Sequence, residues 1–212
     1  MKINFSVHIL APMVLALGLA VIATPASAAV VVYDFDGLAD STSLTNQLAG
    51  PVLGFSNATV IKAGVSLNEA EFPPKSGDGV VFDDGGAISI NFAAPVFSVS
   101  GYFTYASELS LRAFDSFNNQ LGATVTSHYI SNLALSGDAG SSANEPLSFA
   151  DAGGAIARVE ITGAIAGGSF VLDDLTVDSG NTVPEPQTLL LALALLGAGC
   201  LPRGWMRRRS AV

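Results

Sequence analysis

Ile88-Ser89-Ile90-Asn91-Phe92 alternates apolar and polar side chains one residue at a time. In an extended chain successive side chains point to opposite sides. This stretch therefore buries Ile88, Ile90 and Phe92 on one face and turns Ser89 and Asn91 to the other. Further along, Ala157, Val159 and Ile161 alternate in the same way with Arg158, Glu160 and Thr162. Phe97, Val99, Gly101 and Phe103 keep one face of another strand, and Leu109 and Leu111 keep one face of a fourth. A period of two is the mark of half-buried strands in antiparallel sheets.

Working outward, strands are predicted over Val30–Asp36, Thr59–Leu67, Gly79–Phe82, Leu121–Ser127 and Ser169–Val177. Asp83-Asp84-Gly85-Gly86, Ser116-Phe117-Asn118-Asn119 and Ala166-Gly167-Gly168 read as hairpin turns. Between these, no stretch sustains an apolar period of 3.6 with caps, and only Ser41–Leu48 is expected to form a short helix. The Gly- and Ser-rich stretch Ser136–Asn144 reads as a mobile surface loop. Roughly eight to ten short strands in about 150 residues predict an all-β fold, a two-sheet antiparallel β-sandwich of jelly-roll form. No internal repeat of the solenoid kind is present.

Composition agrees with a folded, turn-rich domain: 50% of residues are hydrophobic, 13% are charged, and 22 are Gly. All 18 acidic residues lie between Asp34 and Glu185, where the only cations are Lys62, Lys75, Arg112 and Arg158, leaving that stretch at −14. Such a surface repels phosphate backbones, which excludes nucleic acid as a partner. It suits divalent cations, or polymers without strong negative charge. The single cysteine, Cys200, lies in an apolar stretch near the C-terminus, so the domain has neither disulfide nor thiol nucleophile. His128 is the only histidine besides His8, no Gly-x-Ser-x-Gly elbow occurs, and no nitrogen- or sulfur-rich cluster could hold zinc. On these grounds the domain is not expected to be an enzyme. For stacking against sugar rings the candidates are Tyr33, Tyr102, Tyr105 and Tyr129, since the one Trp is Trp205.

The two ends carry a different message. Met1-Lys2, an apolar stretch from Val7 to Ala23 and then Ala26-Ser27-Ala28 have the order of a secretory signal. Ala26 and Ala28 fill the small positions before the cut, so residues 1–28 are expected to leave after Sec export and signal peptidase cleavage, with Ala29 first in the mature chain. The domain then spans 29–181. At the other end, in 182–212, Pro184-Glu185-Pro186 precedes an apolar run from Thr188 to Leu201, followed by Arg203 and the cluster Arg207-Arg208-Arg209. This is a stiff spacer, a hydrophobic transmembrane helix and a cationic stop, and the arginines hold the cytoplasmic side. The order resembles the PEP-CTERM sorting signal of exopolysaccharide-producing Gram-negative bacteria. That resemblance implies an exosortase as partner, a transient stay in the inner membrane, and delivery to the cell surface or extracellular matrix. The apolar run is about 14 residues, short of the ~20 of a free-standing span.

A second resemblance lies at the two edges of the domain. Tyr33-Asp34-Phe35-Asp36-Gly37-Leu38 and Ser169-Phe170-Val171-Leu172-Asp173-Asp174-Leu175-Thr176-Val177 resemble the first and last strands of calcium-stabilised jelly-roll carbohydrate-binding modules. The resemblance implies a structural calcium ion joining the two strands. Alternation sends Asp173 and Asp174 to opposite faces, so Asp36 and Asp173 are the expected pair, with Asp34 and Asp174 as further candidates. The function implied is a non-catalytic surface or matrix protein associating with exopolysaccharide. A polysaccharide-active enzyme on the same fold is the first alternative. Ice binding is the second, although no regular Thr-x-Thr ladder supports it.

Overall fold

The alternation read from the sequence becomes two stacked sheets in the computed structural model, which describes residues 30–180. Expectations for Ala26, Ala28, Ala29, Pro184, Glu185, Pro186, Arg207, Arg208 and Arg209, and for both terminal helices, lie outside the described residues. Twelve strands form within them: β1 Val30–Tyr33, β2 Thr42–Ser43, β3 Val52–Ser56, β4 Ala58–Lys62, β5 Gly79–Asp83 and β6 Ile88–Val96, then β7 Ser98–Tyr105, β8 Ser110–Phe114, β9 Gln120–Thr126, β10 Glu145–Ala150, β11 Ile156–Thr162 and β12 Phe170–Asp178. One sheet runs β10-β7-β12-β5-β4-β2, with β1 also paired to β12; the other runs β3-β6-β11-β8-β9. Every named ladder is antiparallel. The result is an all-β, two-sheet sandwich of jelly-roll form.

The core fills the space between the sheets. Ile88, Ile90, Leu111, Val159 and Ile161 come from the five-stranded sheet, and Val81, Phe103, Leu172, Leu175 and Val177 from the other. All ten are essentially without solvent exposure. A second, small apolar cluster of Leu67, Val80 and Val171, with Phe72 and Phe82 against it, lies on the outer face of the seven-stranded sheet. There Val80 and Val171 point away from the main core, and the loop between β4 and β5 closes over them.

First and last strands are neighbours, as the jelly roll requires: Val30 pairs with Asp178 and Tyr33 with Leu175. Several local expectations need correcting. The stretch Ser41–Leu48 contains the short strand β2 and turns, not a helix. Ser41 has φ 60°, Thr42 pairs with Val60, and the Gln47 side chain accepts from the Thr45 amide. Short polar side chains that bond their own backbone compete with a helix ladder. Only the Ser116–Asn119 turn makes a hairpin, joining β8 to β9. The turns at Asp83–Gly86 and Ala166–Gly168 carry the chain from one sheet to the other. Buried Asp83 ties them together, accepting from the Ser169 and Phe170 amides at 2.8 and 3.1 Å, while Gly168 donates to its carbonyl. The stretch Ser136–Asn144 is a loop, but a well-anchored one: Glu71 accepts from the Ser136 amide, and Asn132 donates to the Ser142 carbonyl.

Candidate functional site

Asp173 and Asp174 lie where β12 changes neighbour. Its first half pairs with β5 and its second with β1, and between them a bulge separates Asp173 from Thr176 on the β7 side. Asp174 sits in that bulge at φ 47°, which resets the alternation: Leu172 and Leu175 both face the core, and Asp174 is kept out of it. The expectation that Asp173 and Asp174 face opposite sides is therefore corrected. Both carboxylates engage the same segment of the β4–β5 loop. Asp173 accepts from the Lys75 and Ser76 amides at 2.7 and 3.0 Å, and Asp174 accepts from the Ser76 hydroxyl at 2.7 Å.

Asp36 meets the far end of that loop, its Oδ1 accepting from the amides of Asp78 and Gly79, both at 2.8 Å. Lys62 donates to the Asp36 carbonyl and pairs with Asp78 at 2.8 Å. Asp34 is exposed and accepts from the Asp36 amide. Partial burial works against the charge on Asp36, but the Gly79 and Asp78 amides and the Lys62 ammonium outweigh it and hold the carboxyl below its ordinary range. At Asp173 burial wins over the amides of Ser76, Asp174 and Lys75, and the carboxyl is pushed up to about 6.

A calcium ion shared by Asp36 and Asp173 does not fit this donor set. Asp173 gives Oδ2 to two amides and Oδ1 to the Asp174 amide, and Asp36 gives Oδ1 to two more. Among the described residues no group of three or more His, Cys, Asp or Glu side chains is placed to hold a metal ion. Backbone N–H groups hold these carboxylates.

The tyrosines are committed elsewhere. Tyr33 is buried and donates to the Ala49 carbonyl. Tyr105, fully buried, donates to Glu145, and burial together with that carboxylate pushes its hydroxyl up to about 12. Tyr129 donates to the Gly140 carbonyl, and Tyr102 lies under the Lys75 ammonium, 4.5 Å from its ring centre. His128 is exposed, with its ring against Tyr129.

One open surface is the outer face of the five-stranded sheet. Registers place Gly54, Asn91, Arg158, Phe114 and Gln120 in one row across its strands, and Ser56, Ser89, Glu160 and Arg112 in the next. Every side chain in these rows is polar except Phe114. Arg158 stacks over that ring, its guanidinium carbon 4.1 Å from the centre, and Arg112 approaches to 5.8 Å. Glu160 accepts from both arginines, from Arg112 at 3.0 Å, and Asn118 accepts from Arg158 at 2.6 Å. The sequence reading put Arg158 and Glu160 on the polar side of their strand but gave them no role. Two of the domain's few cations at non-core positions of strands were the available signal. Their convergence depends on the β8–β11 pairing.

No protein-family model matches the chain, and no curated protein matches it. Solved structures do. The K2 cleaved adhesin domain of Lys-gingipain is 12% identical, with a TM-score of 0.39 over 72% of this chain and 99% of that one. The K1 domain of the same protein, from Porphyromonas gingivalis W83, gives the same figures. A family 29 carbohydrate-binding module is 13% identical, with a TM-score of 0.38 over 73% of this chain and 91% of that one.

Proposed function

We propose that this chain is an exported, non-catalytic β-sandwich that contacts glycan at the cell surface or in the extracellular matrix, through the outer face of its five-stranded sheet. The observation that carries the reading is that face. It presents Ser56, Ser89, Asn91 and Gln120 in two rows across the sheet, whereas on the other sheet the β4–β5 loop covers the outer side of β5 and the first half of β12. Amide and hydroxyl side chains on a rigid sheet suit a hydroxyl-rich polymer, which they meet by hydrogen bonds at small entropic cost. Sec export and signal peptidase, then exosortase handling of residues 182–212 from the inner membrane, would deliver the domain to exopolysaccharide. That route rests on the resemblance of the terminal segments to sorting signals.

Full-length protein applied to a panel of immobilised polysaccharides tests the reading, with retained protein and released sugar both followed. Retention without released sugar is expected, and it should weaken in the Asn91→Ala, Gln120→Ala double variant. Sugar release would favour the polysaccharide-active enzyme. Retention unchanged in the double variant would remove the face from the proposal.

A further inference from the structure

We propose that Arg112 and Arg158 make this face selective for acidic glycans, forming a subsite for the carboxylate of a uronic acid residue. The inference rests on the reading of the face as a glycan contact and deepens it. The domain as a whole is acidic, and its charge alone argues for uncharged polymers. Charge on this face is locally reversed. Among residues 30–180 the cations are Lys62, Lys75, Arg112 and Arg158. Lys62 is spent on Asp78 and the Asp36 carbonyl, and Lys75 lies over Tyr102. The other two share one carboxylate, Glu160, which leaves the two rows with an excess of one positive charge, while Asp115, in the turn beside Asn118, is held by the Phe117 and Asn119 amides. Exposed charges of the remaining surface are screened beyond about 8 Å at physiological ionic strength, so contact chemistry is set by this pair.

The two arginines are not equivalent. Arg158 is held by Glu160, Asn118 and the Phe114 ring, with its side chain 21% exposed. Arg112 reaches Glu160 through one nitrogen, and its side chain is 40% exposed. Among the described residues it has no other hydrogen-bond partner. A guanidinium carries five N–H donors in a planar fork that matches a carboxylate edge on. Arg112 therefore has donors to offer, on a side chain already steered by Glu160 and Phe114. A uronate seated there would place its carboxylate on Arg112, and neighbouring residues of the polymer would reach Gln120 on β9 and Ser89 and Asn91 on β6.

Titration calorimetry of the full-length protein with oligogalacturonate, its methyl ester and dextran sulfate tests this. The methyl ester keeps the sugar backbone and removes the charge, and dextran sulfate keeps charge without the carboxylate. The free acid is expected to bind at least about tenfold more tightly than the ester, the equivalent of one charge-assisted hydrogen bond. Arg112→Gln should bring the acid down to the ester's affinity without changing the ester's. Arg112→Lys, which keeps the charge and loses the fork, should fall between and serves if the glutamine variant does not fold. Equal binding of acid and ester, or an acid affinity untouched by both Arg112 variants, overturns the subsite, while ester binding that falls in the Asn91→Ala, Gln120→Ala variant keeps the glycan face. Dextran sulfate binding as tightly as the free acid overturns uronate selectivity in favour of charge alone. If no sugar binds at all, subsite and face fall together.

Discussion

Asp173 is the most demanding residue of the domain, a carboxylate with 1% of its surface exposed and amides on both oxygens. Its folded-state acidity near 6 lies above the ordinary value, so the folded state holds its proton where the unfolded chain has released it. The associated stability is fully present below about 4 and is lost as pH rises through about 6. Asp36, Asp40 and Asp115 are shifted the other way, and their contribution is present above about 4 and lost below it. The melting temperature is therefore expected to rise as pH is lowered from 7 to 5 and to fall again below about 4. Asp173→Asn should make the upper limb shallower, leaving the part that Asp83, also raised by burial, contributes, and should leave the lower limb in place, as thermal unfolding across pH will check. Because amides already hold both oxygens of Asp173 and one of Asp36, and no third carboxylate joins them, saturating calcium and EDTA should give the same melting temperature. An increment with calcium that Asp173→Ala abolishes would restore the shared ion.

The β4–β5 loop holds three parts of the chain at once: the stretch after β1, the bulge of β12, and the start of β5. Gly77 is its tightest point. It has φ 52°, and a Cβ there would overlap the Asp36 carboxylate. Gly77→Ala should destabilise the fold by about 2 kcal/mol or more, since it combines backbone strain with the displacement of a carboxylate from two amides. Denaturant unfolding measures this, and a loss under about 0.5 kcal/mol would mean that the loop yields freely. Strands hidden in the sequence have their own local reasons. β3 contains Gly54, whose Cα faces the Thr45 carbonyl too closely for any side chain, and that glycine interrupts the apolar pattern. β10 contains Pro146, which is tolerated because β10 lies at the sheet edge and needs only one ladder.

On the scale of the whole molecule, Val30 and Asp178 are register partners, so both ends of the described chain lie side by side on adjacent strands. The expected export route can be checked at those ends. N-terminal sequencing of envelope-associated protein should find Ala29 first, and Met1 there would refute cleavage after Ala28. Replacing Pro184, Glu185 and Pro186 by alanine should trap the protein in the inner membrane with its tail intact. Normal release with a trimmed tail would end the exosortase reading.

Period-two alternation over Ile88–Phe92 and Ala157–Thr162 was enough to determine the fold class, because burying one face of a strand constrains every second residue locally. Turn residues announced that the chain reverses, but whether it returned to the same sheet was not local. Asp83–Gly86 and Ala166–Gly168 look like hairpins and cross between sheets, since β5 pairs with β4 and β12 while β6 and β11 pair in the other sheet. In the same way the sequence identified Asp36, Asp173 and Asp174 as an acidic set, while the bulge and the 75–79 amides decided what they hold. Arg112 and Arg158 lie 46 positions apart, and only the pairing of β8 with β11 sets them around one carboxylate and one ring. A side chain's face follows from its immediate neighbours in the chain. Its partners follow from strand register, which is settled by packing across the whole sandwich.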